Sequence, residues 1–412
     1  MSATMLPPLR TDILRAASGS KLMAWALSHA SVAFAVLRRI RPILRFGATT
    51  LVTRYDDVRE VFLADDDFPV PYKARLDVIM GAEPFFLGMG DTPDYRRDTA
   101  AMRSVVRRED ITATLTQATA RRAAALVAAA PGRIEVVDQL ARNVTFDVLC
   151  PYFGITDTPD AALRVWATRL FEYQFADDGS KSLRGDVAQM APALRAHVDE
   201  LIAARKATMP GADDVLGRCL ASQVAGKPGF TDKQIRSALI GFLVGGLPQP
   251  PMVVPQALEQ LLRRPDALAG AIAAAMADDD ALLAGYIFEA LRFDPLAPAL
   301  ARQTKRNHTV AEGTSRATLI PADTTMLVSF ASAMMDPRRV SNPASFDPHR
   351  STHSYFHFGY GLHTCFGMHI NQTLLPQILK PILRCPELRR ASGVSGKLVK
   401  RGIFAETLWV DL

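Results

Sequence analysis

Near the C-terminal end, Phe358-Gly359-Tyr360-Gly361-Leu362-His363-Thr364-Cys365-Phe366-Gly367 places three glycines, a histidine and a cysteine within ten residues. Glycines let a backbone turn tightly and approach a flat ligand with no side chain in the way. A cysteine in such a turn, just ahead of an apolar helical pattern, can be held as a thiolate by the helix N-terminus and bind a metal. Residue types alone leave other readings open. Cys365 could be a buried structural thiol, or it could join His357, His363 and His369 at zinc. Zinc sites, however, usually draw on ligand pairs at short fixed spacings and on several cysteines.

Two further stretches carry polar groups where a core is expected. Glu289-Ala-Leu-Arg292 is an i, i+3 ion pair, which on a solvated helix stabilises by only about 0.2–0.5 kcal/mol. Here it lies on an otherwise apolar helix and is followed by Phe346-Asp-Pro-His-Arg350. The other stretch, Gly245-Gly246-Leu247-Pro248-Gln249-Pro250-Pro251, begins a run with four prolines between 248 and 255. Proline inside a helix removes a donor and costs about 3 kcal/mol. The helix should therefore stop near Gly246 and restart near Pro250 or Pro251, where proline suits the first turn.

The spacing Phe-Gly-x-Gly-x-His-x-Cys-x-Gly, with Glu-x-x-Arg and Phe-Asp-Pro-x-Arg before it in the same order, resembles the cytochrome P-450 (haem-thiolate monooxygenase) family, bacterial soluble type. The resemblance spans roughly residues 42–412. It implies a mainly α fold with small β-sheets, the triangular prism of that family, as a single large domain at 42–412. An N-terminal arm and apolar helix (1–41) would precede it. It implies haem b with Cys365 as axial ligand. Phe358 would shield the sulfur, and Gly361 and Gly367 would make room for porphyrin. Tyr95, Arg302 and His363 would contact the haem. Glu289, Arg292 and Arg350 become a buried network supporting the cysteine loop. Tyr95 stands where the family usually has histidine, and Thr99 where an arginine often contacts a propionate.

The family's acid–alcohol pair, which relays protons to the iron-bound oxygen, falls on Pro248 and Gln249. Gly246 and Gln249 are then the candidate catalytic positions. Gln249 either organises chemistry on that face or satisfies carbonyls that the prolines free. Family members that rearrange fatty-acid hydroperoxides also lack the pair and use an amide. The expected activity is hydroxylation of a small apolar substrate with dioxygen and electrons from a ferredoxin and its reductase. The alternatives are a peroxide-dependent or hydroperoxide-rearranging enzyme, and a catalytically silent haem protein. Phe85, Phe86, Leu87, Phe242, Leu247 and Leu296 are the candidate substrate contacts, with Met89, Phe171, Phe175, Leu300 and the loop 402–406 as further ones.

Composition agrees with a large-cored globular chain. Of 412 residues, 49% are hydrophobic and 22% charged, which argues against disorder. The net charge is +6 and the isoelectric point about 9.2. No dense basic run or aromatic-basic interleaving points to nucleic acid. Arginines between 96 and 108, with Arg338 and Arg339, form either a solvated face or a face for an acidic partner. Four scattered cysteines fit a reducing, cytoplasmic setting. The apolar stretch Leu22–Leu37 is sixteen residues long, short of the roughly 20 that a membrane span requires. It reads as a buried or surface-lying helix behind a loosely held arm at 1–21.

The elements that must position these residues follow from periodicity. Short strands flank Gly47, and a helix starts at Asp56. Helices dominate from Asp91 to about residue 206, Asp232 could cap the central helix, and Leu282–Phe293 carries the Glu-x-x-Arg pair. Strands are expected near 309–310, 317–320 and 325–329. The stretches 68–89 and 207–230 read as irregular.

Overall fold

The longest apolar helix forms the centre of the molecule because its start and stop are both written locally. Thr231 accepts a hydrogen bond from the Gln234 N–H, and the Gln234 side chain accepts from the Thr231 N–H. This capping box satisfies two otherwise orphaned donors. Thr231 is thus the cap, and Asp232, the expected cap, sits in the first turn. The helix runs Asp232–Gly246 and buries Ile235, Leu239, Phe242 and Leu243. It breaks across 247–249 and resumes as Pro250–Leu262 with Pro250 at its first position, as the prolines require. The combined stretch Asp232–Leu262 is long and apolar enough to cross a membrane, yet 78% of its apolar window is buried in the protein.

The computed structural model describes residues 30–158, 161–176, 179–208 and 212–412. The expected arm at 1–21 lies outside them, as do residues 22–29 of the apolar stretch. The remainder is helix from Ala30 to Ile40. Most of the chain is helical, and the sheets are small. One has four strands in the spatial order Ile43–Phe46, Thr49–Val52, Thr325–Val328 and Leu300–Gln303. Its central pairing is parallel and its outer pairings antiparallel. A second sheet sets Trp409–Asp411 between Arg133–Glu135 and Arg389–Arg390.

Two stretches expected to be irregular contain helices. Lys73–Met80 buries Leu76, Ile79 and Met80 and ends at Gly81. Their i, i+3, i+4 spacing is helical, but the helix is short and the prolines and glycines on either side dominate the local composition. Val215–Val224 is capped by Asp214, which accepts from the Gly217 N–H, and it buries Leu216, Cys219 and Leu220.

Apolar burial separates into a large helical core and a smaller one on the four-stranded sheet. The smaller core includes Ile43, Val52, Phe62, Phe68, Met326, Val328 and Phe356. Buried charge ties helices of the large core together. Arg218 holds Asp110 through Nη1 at 2.5 Å and Nη2 at 3.1 Å, and the Tyr152 hydroxyl donates to the same carboxylate at 2.9 Å. Arg218→Ala would leave Asp110 buried with its charge uncompensated. The expected cost is about 3 kcal/mol of unfolding free energy in urea titrations. A shift below roughly 0.5 kcal/mol, the range of ordinary surface substitutions, would show that water takes over the arginine's role.

Candidate functional site

The cysteine loop lies across the seam between the two cores and is fastened to both. Phe356 packs into the smaller core, where Tyr360 joins it, while Phe358 and Phe366 pack on the larger one. Within the loop, the Cys365 N–H donates to the Phe358 carbonyl at 2.8 Å. Gly361 has φ +72°, and a Cβ there would sit 2.6 Å from the Phe62 carbonyl oxygen. Only glycine allows this approach. The helix Met368–Leu383 starts just after Cys365, with Gly367 at its N-cap.

Burial pushes the Cys365 thiol above its usual range, and a hydrogen bond from the Gly367 N–H pulls it the other way. A cation bound at the sulfur would remove the burial penalty, since the thiolate is the metal-binding form. The neighbouring histidines do not share this role. His357 Nε2 lies 2.9 Å from the Phe288 carbonyl, and no group of three or more metal-binding side chains occurs among the described residues.

Two buried nitrogen donors near the loop lack the partners their burial calls for. His363 Nε2 makes no hydrogen bond, and Asp65 Oδ1 lies 3.2 Å away without hydrogen-bonding geometry. Arg302 is 3% exposed, and among the described residues its guanidinium donates only to the carbonyl of Ala301, 3.0 Å away. Its guanidinium stacks over Phe62 at 5.1 Å. Burial lowers its pKa, against the pull of Tyr72 and Asp65. A buried cation without a carboxylate is costly, and an anionic ligand would relieve both sites. One sulfur ligand, two nitrogen donors awaiting anions and a glycine-bracketed loop form a donor set that suits haem, with carboxylates at its rim.

Glu289 organises the support beneath the loop. Its carboxylate accepts from Arg292 Nη2 at 2.6 Å, Arg292 Nε at 2.8 Å, Arg350 Nε at 3.3 Å, the Asp347 N–H at 3.0 Å and the Tyr355 hydroxyl at 2.9 Å. Arg292 also donates to the carbonyls of Met334, Pro343 and Ser345. The 346–350 segment comes this close because Gly285 has no side chain: a Cβ there would sit 2.2 Å from the Pro348 carbonyl oxygen.

Tyr355 and His357 are members that sequence reasoning missed. Their rings stack at 4.8 Å, and both contact the Phe288–Glu289 turn. For Tyr355 only its place between Arg350 and the glycine loop hinted at a role, and His357 entered the sequence reading only as a possible zinc ligand.

On the other side, Gly245 and Gly246 face open space, with nothing within 4 Å of an added Cβ. Gln249 does not point freely into it. Its Nε2 donates to the Gly245 carbonyl at 2.6 Å, which satisfies an acceptor that the helix break leaves over. Tyr95 donates its hydroxyl to the Leu362 carbonyl at 2.6 Å, and Thr99 donates to the Tyr95 carbonyl.

The aromatic candidates form a packed ladder. Phe85 meets Phe86 at 4.3 Å with its ring tilted, Phe86 meets Phe366 at 5.6 Å, and Phe366 stacks on Phe242 at 5.4 Å. Leu247 is fully buried, and Leu87 and Leu296 pack against the same core. Phe171 and Phe175 lie together farther out, with Phe404 against Phe171.

His357 carries a testable consequence. Burial pushes its pKa down from 6.5 to about 4, despite its hydrogen bond to Phe288 and the nearby Glu289. Above pH 6.5 it is neutral in both the folded and unfolded states. Between pH 6.5 and 4 the unfolded chain takes up a proton that the folded chain refuses, so stability falls by about 3 kcal/mol. His357→Gln keeps a donor for Phe288 without the titration. Denaturant unfolding should show a shallower acid slope in that variant than in the parent.

A family model described as "Cytochrome P450" matches residues 180–398, more than half of the chain. A "Bifunctional dioxygenase (DOX)-epoxy alcohol synthase (EAS)" of Fusarium oxysporum (strain Fo5176) is 34% identical over 123 residues, 30% of this chain and 10% of that one. "Cytochrome P450 monooxygenase PikC" of Streptomyces venezuelae is 27% identical over 265 residues, 64% of this chain and 59% of that one. The matches thus span a tenth and about three fifths of these relatives. The solved ligand-free structure of cytochrome P450 TbtJ1 superposes with a TM-score of 0.78 at 22% identity, over 93% of this chain and 97% of that one. With the lone cysteine, its glycine loop and the Glu289 support in place, the chain belongs to the cytochrome P450 family.

Proposed function

We propose that the chain is a haem-thiolate oxidoreductase that carries haem b and hydroxylates a small apolar organic substrate with dioxygen and electrons from a ferredoxin. The observation that carries this reading is Cys365, alone among glycines and receiving the Gly367 N–H. What haem supplies when bound is oxygen activation, and thiolate donation favours O–O cleavage. Cys365 is the iron ligand in this reading. Arg302 and His363 take the cofactor's carboxylates, which answers their unmet burial. Gly361 lets the loop close on the Phe62 carbonyl, Gly367 admits the ring, Phe358 covers the sulfur, and Tyr95 braces the loop through Leu362. Glu289, Arg292 and Arg350 hold the loop's depth. Gly246 keeps the opposite face open.

In this reading Phe85, Phe86, Leu87, Phe242, Leu247 and Leu296 supply the substrate contacts, and their apolar character suits an apolar substrate. For the donor, an open cleft of about 670 Å³ lies beside the loop, lined by Tyr95, Arg96, Thr99, Arg103, Ser104 and Leu362. Arg96 pairs with Asp91, whereas Arg103 has no ion pair among the described residues, which leaves it available to an acidic protein. The assignment places the catalytic domain at 42–412, in a cytoplasmic enzyme.

A second reading is favoured by Pro248 and Gln249 standing where an acid and an alcohol are usual. In it the oxidant is a peroxide or the substrate's own hydroperoxide, and Gln249 swings from the Gly245 carbonyl to orient it. The stretch matched in the fungal dioxygenase–epoxy alcohol synthase supports this alternative.

Cys365→Ser should abolish the thiolate-type band of the reduced carbon monoxide complex. A histidine-type spectrum in the parent protein would sink the haem-thiolate reading. Turnover with ferredoxin, its reductase and NAD(P)H, and none with hydroperoxide alone, supports the first reading. The reverse pattern supports the second, and Gln249→Ala should then lower the hydroperoxide rate by tenfold or more, as removing a positioned polar group does.

A further inference from the structure

The basic excess of this chain is not spread evenly along its sequence. Between Ile13 and Tyr55 there are seven Lys/Arg residues and no Asp or Glu. That stretch carries +7 against +6 for the whole chain, so everything else together is close to neutral, at −1. Within it, the helix Ala30–Ile40 presents Val32, Ala35, Val36, Arg39 and Ile40 to solvent. The spacing i, i+3, i+4, i+7, i+8 places them on one face of an α-helix. Ile40 is 73% exposed, and Val32 and Val36 about half.

The helix cannot roll this face inward. Its opposite side carries buried Arg38, whose Nη1 donates to the Ser332 carbonyl at 3.1 Å and to Ser332 Oγ at 2.8 Å. Arg54 Nε in turn donates to the Arg38 carbonyl at 2.8 Å. Rotation would expose the apolar contacts beneath the helix and strand a charge, which is costly.

The chain leaves the helix through Arg41-Pro42 into the hairpin Ile43–Val52, whose tip holds an exposed aromatic, Phe46. Arg45, also exposed, reaches across to the Leu319 carbonyl, and the Leu319 side chain is exposed as well. Arg39, Arg41 and Arg45 therefore rim an apolar stripe. Scattered exposed hydrophobics need no explanation, but an apolar face with a basic rim does.

We propose that this face docks on an anionic phospholipid bilayer, lying in the headgroup plane without spanning it. The apolar stripe is fixed outward, and the arginines beside it complement acidic headgroups. Amphipathic, arginine-rimmed helices bind such surfaces through both terms together. An acidic protein groove would meet the arginines equally well. The apolar residues sit on a convex helix and a hairpin tip, which suits shallow insertion into a deformable surface. The proposal is independent of the oxidant that the haem site uses.

The test is co-sedimentation of the full-length, haem-loaded protein with vesicles of phosphatidylcholine alone or with phosphatidylglycerol added. The expected result is binding to the anionic vesicles that weakens with salt and is much lower on neutral ones. The double variant Val36→Asp, Ile40→Asp should bind roughly tenfold or more weakly. The carbon monoxide spectrum and melting temperature should match the parent, because both side chains are exposed. Should that variant fold poorly, Arg39→Glu with Arg41→Glu makes the same test through charge alone.

Absence of binding to anionic vesicles overturns the proposal. So does equal binding to neutral vesicles, and so does binding that survives both pairs of substitutions. A lipid-free dimer that the Val36→Asp, Ile40→Asp variant disrupts would assign the face to a second copy of the chain, and it too overturns the proposal.

Discussion

The carboxylate of Glu289 is the constraint on which the rest of the architecture depends. It is fully buried, and its two oxygens accept from Arg292, Arg350, Tyr355 and the Asp347 backbone. A charge in that position is tolerable only when every lone pair is engaged, because desolvation costs several kcal/mol per ion. The geometry therefore fixes three chain segments at once: the helix Asp280–Phe293, the 346–350 segment and the approach to the cysteine loop. Arg292 extends the constraint through the carbonyls of Met334, Pro343 and Ser345. Displacing any one segment would leave donors or acceptors unpaired in the core.

From that hub the cysteine loop is stitched across two cores that are otherwise separate. Tyr355 and His357 contact the Phe288–Glu289 turn, Phe356 enters the sheet-side core, and Phe358 returns to the helical one. The alternation pins each face of the loop to a different body. Cys365 is held at the end of this stitching, where the Gly367 N–H meets its sulfur. The unmet donors of His363 and Arg302 gather at the end of the helix Tyr55–Leu63, beside Asp65 and Phe62. Buried polar groups without partners are rare in folded proteins, and His363 Nε2, in the same loop as Cys365, is one of them.

The opposite face is built by a different device. Four prolines interrupt the central helix without unfolding it, because Pro250 can begin a new helix and Gln249 can satisfy the Gly245 carbonyl. The amide thus has a structural task, holding the i−4 carbonyl of Gly245. Whatever chemistry Gln249 contributes competes with that hydrogen bond.

Much of this was legible in the sequence, and the division has a physical basis. The cysteine loop, the Glu289–Arg292–Arg350 set and the helix break at 247–249 are local statements. Glycine and proline fix backbone geometry wherever they stand, and a charged pair on an apolar helix must find partners. The mainly helical class and the strand positions near 309, 318 and 325 follow from periodicity in the same way. The short helices Lys73–Met80 and Val215–Val224 were hidden because their few buried positions make sense only against neighbours distant in the chain. Tyr355 and His357 are ordinary residue types whose importance comes from a turn that lies 66 and 69 residues away. The fates of Phe85, Phe86 and Phe242, joined through Phe366 in one ladder, and the turning of Gln249 toward Gly245 were decided only by tertiary packing. The sequence by itself determined the glycine-bracketed turn around Cys365, since backbone freedom and sulfur chemistry are properties of residues. The tertiary structure decided how deeply Arg302 and His363 are buried and how few partners they find there, since burial is a property of the whole fold.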